Sequence, residues 1–227
     1  MTNDEYFNEI ETYFNKLREY REKSKTIAEG IIGENLTEDD IFFLSALNRR
    51  VQLIDGIIDL LRMRNLACVG ILVRTQLDNL MRVFAAFISK DRRTFIKESL
   101  SGKTIRNMRD NQNRKMTDFN LKKRISEYYP EIEEICNKSS GYVHLSEVAF
   151  HEAFWSEHSE QVGKIKFSVG LPPREKLNPT LIECAEIFCY FTEIEYELFQ
   201  IVVDSKKIFD NKQKDILELM WVILNYQ

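Results

Sequence analysis

Apolar residues recur three and four apart along most of the chain, and that spacing predicts helices. Tyr6, Ile10, Tyr13, Leu17, Tyr20, Ser24 and Ile27 form one stripe of a first helix from about Asp4 to Glu29, with Gly30 and Gly33 as its stops. Thr37 followed by Asp40 resembles a capping box and opens a second helix, to about Arg64, whose seam is Leu44, Leu47, Val51, Ile54, Ile58 and Leu61. The third helix, Asn65 to Ser89, is apolar on nearly all sides, from Leu66 and Val69 through Leu80 to Phe87 and Ile88. Such a helix belongs in the centre of a bundle.

Beyond it the pattern weakens. Two short helices are expected near Thr94–Leu100 and Asp118–Tyr128, joined by a mobile basic loop, 101–117, whose polar run Asn107–Thr117 has too few apolar residues to supply a core. Pro130 suits the first turn of another helix, through Ile132, Ile135 and Cys136 toward Gly141. Ile165, Phe167 and Val169 alternate with Lys164, Lys166 and Ser168, so one short β element is expected near 162–170. It must pair with a second extended segment or with another copy of the chain. Asn178-Pro179 starts a long helix to about Asp204, and a last helix follows from about Asp210 to Asn225.

These elements describe an all-α protein, a multi-helix bundle around a central apolar helix, in one domain spanning 1–227 with the N-terminal helix, 1–33, at its periphery. Eight Gly and four Pro leave too little turn material for an all-β fold. The four cysteines form no CxxC pair and sit on apolar helix faces, the pattern of reduced thiols in a cytoplasmic protein rather than of a zinc site. Met1 to Tyr20 carries no apolar run, so no secretory signal is expected. Arg74, Asp78 and Arg82 interrupt the longest apolar stretch, and no membrane span is expected either.

Charge changes the picture in one region. Between Lys90 and Arg124 twelve Lys or Arg stand against four acids, so a segment of +8 sits in a chain of net charge −4. Such a local field attracts phosphates. Arg106, Arg109, Arg114 and Lys115 are its candidate nucleic-acid contacts, with Phe95 and Phe119 as the aromatics available for base stacking. The same charge could instead be answered within the fold or a dimer by acids such as Glu183, Glu186, Glu193, Glu195 and Glu197.

Two further groups could carry chemistry. Arg74, Asp78 and Arg82 lie at i, i+4 and i+8 on the most apolar helix. They form either an internal ladder in which Asp78 bonds both arginines, or a site where an arginine grips an anionic ligand and Asp78 orients it. Ser139-Ser140-Gly141-Tyr142-Val143-His144 puts hydroxyls beside an imidazole that could act as general acid or base, unless it is a helix kink whose histidine bonds a carbonyl. His144, His151 and His158 fall seven apart, too far along a helix to share one metal comfortably even with Glu147. No metal or cofactor is expected, and no P-loop, GxGxxG, GxSxG, HExxH or EF-hand pattern occurs.

The run Val73-Arg74-Thr75-Gln76-Leu77-Asp78, followed downstream by Ser140-Gly141-Tyr142-Val143-His144 and a short strand, resembles bacterial all-α proteins similar to HEPN (higher eukaryotes and prokaryotes nucleotide-binding) domains, including abortive-infection proteins. The similarity covers about residues 40 to 200. It implies a helical bundle with a polar site between helices, a homodimer, and RNA or a nucleotide as ligand in a prokaryotic defence or stress system. His144, Arg74 and Asp78 would then be the catalytic candidates, with Arg82, Ser140 and Tyr142 on the ligand. HEPN ribonucleases carry Arg and His four to six residues apart on one helix, and no arginine stands at that distance before His144. The alternative expectation is a non-catalytic interaction protein that uses the aromatic first helix and the strand for dimer or partner contacts.

Overall fold

Each long apolar stripe becomes a helix in the structure, a computed structural model that describes residues 1–135, 154–155, 166–167 and 175–225. Helix α1 is Asn3–Ile32, α2 is Glu38–Arg62, α3 is Leu66–Ile88, α4 is Arg92–Leu100, α5 is Asp118–Ile125 and α6 is Asn178–Asn225. The capping box read at the start of α2 is present, with the Thr37 hydroxyl accepting from Asp40 N–H and the Asp40 carboxylate accepting from Thr37 N–H. Asn65 caps α3 through Cys68 N–H. Phe154–Trp155 and Lys166–Phe167 pair antiparallel, so the expected strand finds its partner within the chain.

Four helices form the frame. Tyr6 reaches the Leu61 carbonyl and Ser24 reaches Arg50, so α1 and α2 run antiparallel. Lys16 meets Glu193 and Gly30 meets Val203, so α6 runs parallel to α1. With α3 returning after the short turn at 63–65, the bundle reads up, down, up and, after the long crossover through 89–177, up again. One side of α3 packs on α2 and α6, and α4 and α5 cover another. That double coverage is why its sequence is apolar nearly all round.

Several expectations change. Helix α1 is a wall of the bundle rather than a peripheral helix, because Tyr6, Ile10, Phe14, Leu17 and Ile31 are fully or almost fully buried against α2 and α6. Most of its aromatics are therefore spent inside the fold. Gly30 is not a stop but an interior residue of α1, and a Cβ there would come within 2.6 Å of Val203 Cγ1 on α6. The stop is Gly33, whose φ of 53° lies in the left-handed region. Gly30→Ala gains up to about 1 kcal/mol in helix propensity, against roughly 1–3 kcal/mol of overpacking. A net loss of roughly 1 kcal/mol is expected in urea unfolding.

The two C-terminal helices are one, since Ser205–Phe209 holds neither Gly nor Pro and the side chains of Lys206 and Asp210 are anchored. Lys206 Nζ lies 2.6 Å from Asp40, and Asp210 accepts from Glu34 N–H at 3.1 Å. Asn178, fully buried, turns its amide to the start of α1, with Nδ2 3.2 Å from the Thr2 carbonyl.

The run expected as a mobile loop is a folded turn. Its core comes from Met108 and Met116, both buried, paired by a hydrogen bond from Met116 N–H to the Met108 carbonyl. Asp110, 2 % exposed, gathers the rest: it accepts from Gln112 N–H, Arg114 N–H and the Arg114 guanidinium, and Arg124 lies 3.7 Å away. Burial pushes its carboxyl up, but the hydrogen bonds and charge of Arg114 outweigh this and hold it below the usual carboxylate range. Asn111 N–H donates to the Ile88 carbonyl and stitches the turn to the end of α3. Among the described residues no helix is long and apolar enough to cross a membrane.

Candidate ligand-binding cleft

The folded turn, the end of α4 and the first turn of α5 close against α3 around a cleft of about 300 Å³. This is the lower end of the range for small-ligand sites. Asp78 and Arg82 line it from α3, Lys103 and Arg106 from the segment after α4, and Asp118 from α5. Gly102, with a φ of 87°, makes the turn that brings Lys103 and Arg106 to the rim. Helix geometry puts Arg74, Asp78 and Arg82 along one edge of α3, as their spacing predicts, but that edge is half-exposed rather than enclosed.

Their partners differ from the expected ladder. Asp78 accepts from Arg82 Nε at 2.9 Å and lies 3.7 Å from Arg49 on α2. Arg74 turns instead to Asp118, at 3.5 Å. Each side chain is more than a third exposed or nearly so, so these contacts orient the groups more than they stabilise the fold. Arg82, Lys103 and Arg106 outnumber Asp78 and Asp118 in the lining; Arg82 pairs with Asp78 and Lys103 with Glu98, at 2.7 Å, which leaves Arg106 as the lining cation without a carboxylate partner among the described residues.

The remaining basic candidates divide. Arg114 is bound to Asp110, and Arg109 donates to the Asn113 carbonyl at 2.7 Å, so both hold the turn together. Lys115 is exposed, bridged through its backbone to Arg109. Of the two aromatics, Phe95 is buried, edge-on to Phe42, and cannot stack on a base, whereas Phe119 is 71 % exposed. Ser140, Tyr142, His144, Glu147 and His151 lie outside the described residues. Three of the acids expected to neutralise the basic segment have other roles: Glu193 pairs with Lys16, Glu197 accepts from Tyr129, and Glu195 is buried.

Glu195 belongs to a polar layer in mid-bundle to which all four long helices contribute. Asn79 and Gln76 of α3 donate to its two carboxylate oxygens at 2.7 and 2.9 Å. Arg50 of α2, fully buried, donates to Ser24 of α1 at 2.7 Å and lays its guanidinium 5.1 Å from the Phe199 ring centroid. Burial pushes the Glu195 carboxyl up to about 7, against the pull of Arg50 and the hydrogen bonds from Gln76 and Asn79. Burial likewise lowers Arg50 from its ordinary value, and Glu195 opposes it. Glu195 and Arg50 have no exposed surface, so the layer fixes the register of the helices rather than meeting a ligand. A signal for it existed, since Arg50 stands four before Ile54 and Glu195 four after Phe191 and four before Phe199, both on core stripes.

The chain matches no protein-family model, no curated protein and no solved structure. The cleft must therefore be judged on its own chemistry. A larger cleft of about 610 Å³ lies where the starts of α2 and α4 meet α6, but its lining balances Glu38, Asp39 and Asp40 against Arg92, Arg93 and Lys206, and the pairs Arg92–Asp39 and Lys206–Asp40 tie those helices together. Buried Cys184 and Cys189 have thiols pushed up to about 12 by desolvation, which makes them poor nucleophiles. Among the described residues no group of three His, Cys, Asp or Glu is placed to hold a metal ion.

Proposed function

We propose that the chain binds a phosphate-bearing ligand, RNA or a nucleotide, in the cleft between α3 and the α4–α5 segment. The observation that carries this is the convergence of Arg82, Lys103 and Arg106 on one concave site. Surface cations distributed at random would be solvated singly, whereas here a cleft collects them. Guanidinium groups match phosphate oxygens in pairs, and Asp78 pre-orients Arg82 for that geometry. The resemblance to HEPN-like and abortive-infection proteins points to the same ligand class. His144, Ser140 and Tyr142 lie outside the described residues, so the proposal is of binding, and RNA cleavage by His144 with Arg74 is a separate step.

The test is titration of a fluorescein-labelled RNA at stepped salt concentrations. Affinity is expected to fall linearly on a logarithmic scale, and Arg106→Ala should reduce that slope by about 1. A variant slope equal to that of the wild type would remove Arg106 from the interface. Absence of binding to RNA and to nucleotides alike would overturn the proposal.

A further inference from the structure

Two aromatic rings stand well out of the fold: Phe119, 71 % exposed, and Tyr128, 63 % exposed. Both belong to α5 and the turn that follows it, the unit that supplies Asp118 and Leu121 to the cleft. Their exposure is not needed for packing. Leu121 and Ile125 hold α5 on the bundle, while Phe119 stands on the outward face with Lys123 one helical turn beyond. Asn120 Nδ2 bonds the Lys115 carbonyl at 2.7 Å and keeps exposed Lys115 beside the first turn of α5. Tyr128 rests edge-on against Phe84, at 6.0 Å between ring centroids.

An exposed ring flanked by lysines that have no carboxylate partner among the described residues is a poor solvent face and a poor apolar contact. It has the composition of a surface that tracks an unpaired strand: cations for the phosphates, and a π-face for a base. A duplex keeps its base faces stacked on one another and has nothing to offer such a ring. Resting on the phosphate-binding reading above, we infer that the ligand is a single-stranded nucleic acid, and that an unpaired base stacks on Phe119 while an adjacent phosphate occupies the cleft beside Arg82 and Arg106.

The experiment compares four probes by fluorescence anisotropy or competition: labelled oligouridine RNA and oligothymidine DNA of about 12 nucleotides, an RNA duplex of the same length, and inorganic polyphosphate. Phe119→Ala should weaken binding of the RNA single strand by about five- to a hundredfold. Binding of duplex and polyphosphate should stay at the wild-type level, and Phe119→Trp should restore the single strand. Because the side chain is exposed, both variants should melt as the wild type does, which excludes a folding defect. A DNA single strand that behaves like the RNA supports stacking and assigns no role to the 2′-hydroxyl. Unchanged single-strand affinity in Phe119→Ala, with Arg106→Ala weakening every probe, would overturn the stacking and leave phosphate binding intact. A wild type that binds none of the probes overturns both.

Discussion

Glu195→Ala is expected to lower the unfolding free energy by about 3–5 kcal/mol, read by chemical denaturation. The carboxylate has no exposed surface and takes hydrogen bonds from Gln76 and Asn79. Its removal leaves two amides short of an acceptor and a cavity between α3 and α6, and above about pH 7 it also leaves Arg50 without the opposing charge. The isosteric Glu195→Gln separates charge from packing. Folding raises this acid from 4.5 to about 7, so the native state holds the proton where the unfolded chain has released it. Stability contributed by the neutral form is fully present below about pH 4.5, declines as pH rises through about 7, and is level above that. The decline is on the order of 3 kcal/mol. Glu195→Gln should abolish that slope, and a wild type whose stability is flat between these limits would contradict the assignment.

Lys206→Ala should cost roughly 3 kcal/mol. Lys206 is 7 % exposed and bonds both the Asn35 carbonyl and Asp40, and so ties α6 to the turn between α1 and α2. Truncation leaves the Asp40 carboxylate buried with only the Thr37 hydroxyl and N–H as donors, at 2.8 and 2.7 Å. Those two bonds keep the effect at the lower end of what breaking a buried pair costs. The double variant Asp40→Asn, Lys206→Met should recover part of the loss, because no lone charge then remains inside. A single variant within about 0.5 kcal/mol of wild type would mean that the pair is solvated.

The all-α bundle and its element order were legible in the sequence because they follow from periodicity and caps. Thr37 with Asp40 and the all-round apolar surface of α3 each had one structural meaning. What periodicity does not carry is tertiary choice. Nothing local marks Asp110 as the acid around which a basic loop folds, or Met108 and Met116 as its core. The continuity of α6 was obscured by a polar run at 204–207 that contains no helix breaker. In the site, spacing placed Arg74, Asp78 and Arg82 on one edge of α3 correctly, yet Asp118 and Arg49, the partners of Arg74 and Asp78, come from other helices. Arg106 shared with Arg109 and Arg114 only a charge count; the fold separates it, at the cleft, from two arginines occupied in holding the turn.

Binding at this cleft makes a positional claim, and photo-crosslinking tests it most directly. A single-stranded RNA carrying 4-thiouridine, crosslinked to the wild-type chain and mapped by peptide mass spectrometry, is predicted to attach within the 103–128 segment, with Phe119 and Tyr128 among the modified residues and with loss of the signal in excess polyphosphate. Crosslinks confined to α1 or to the outer face of α6, with 103–128 unmodified, would contradict it.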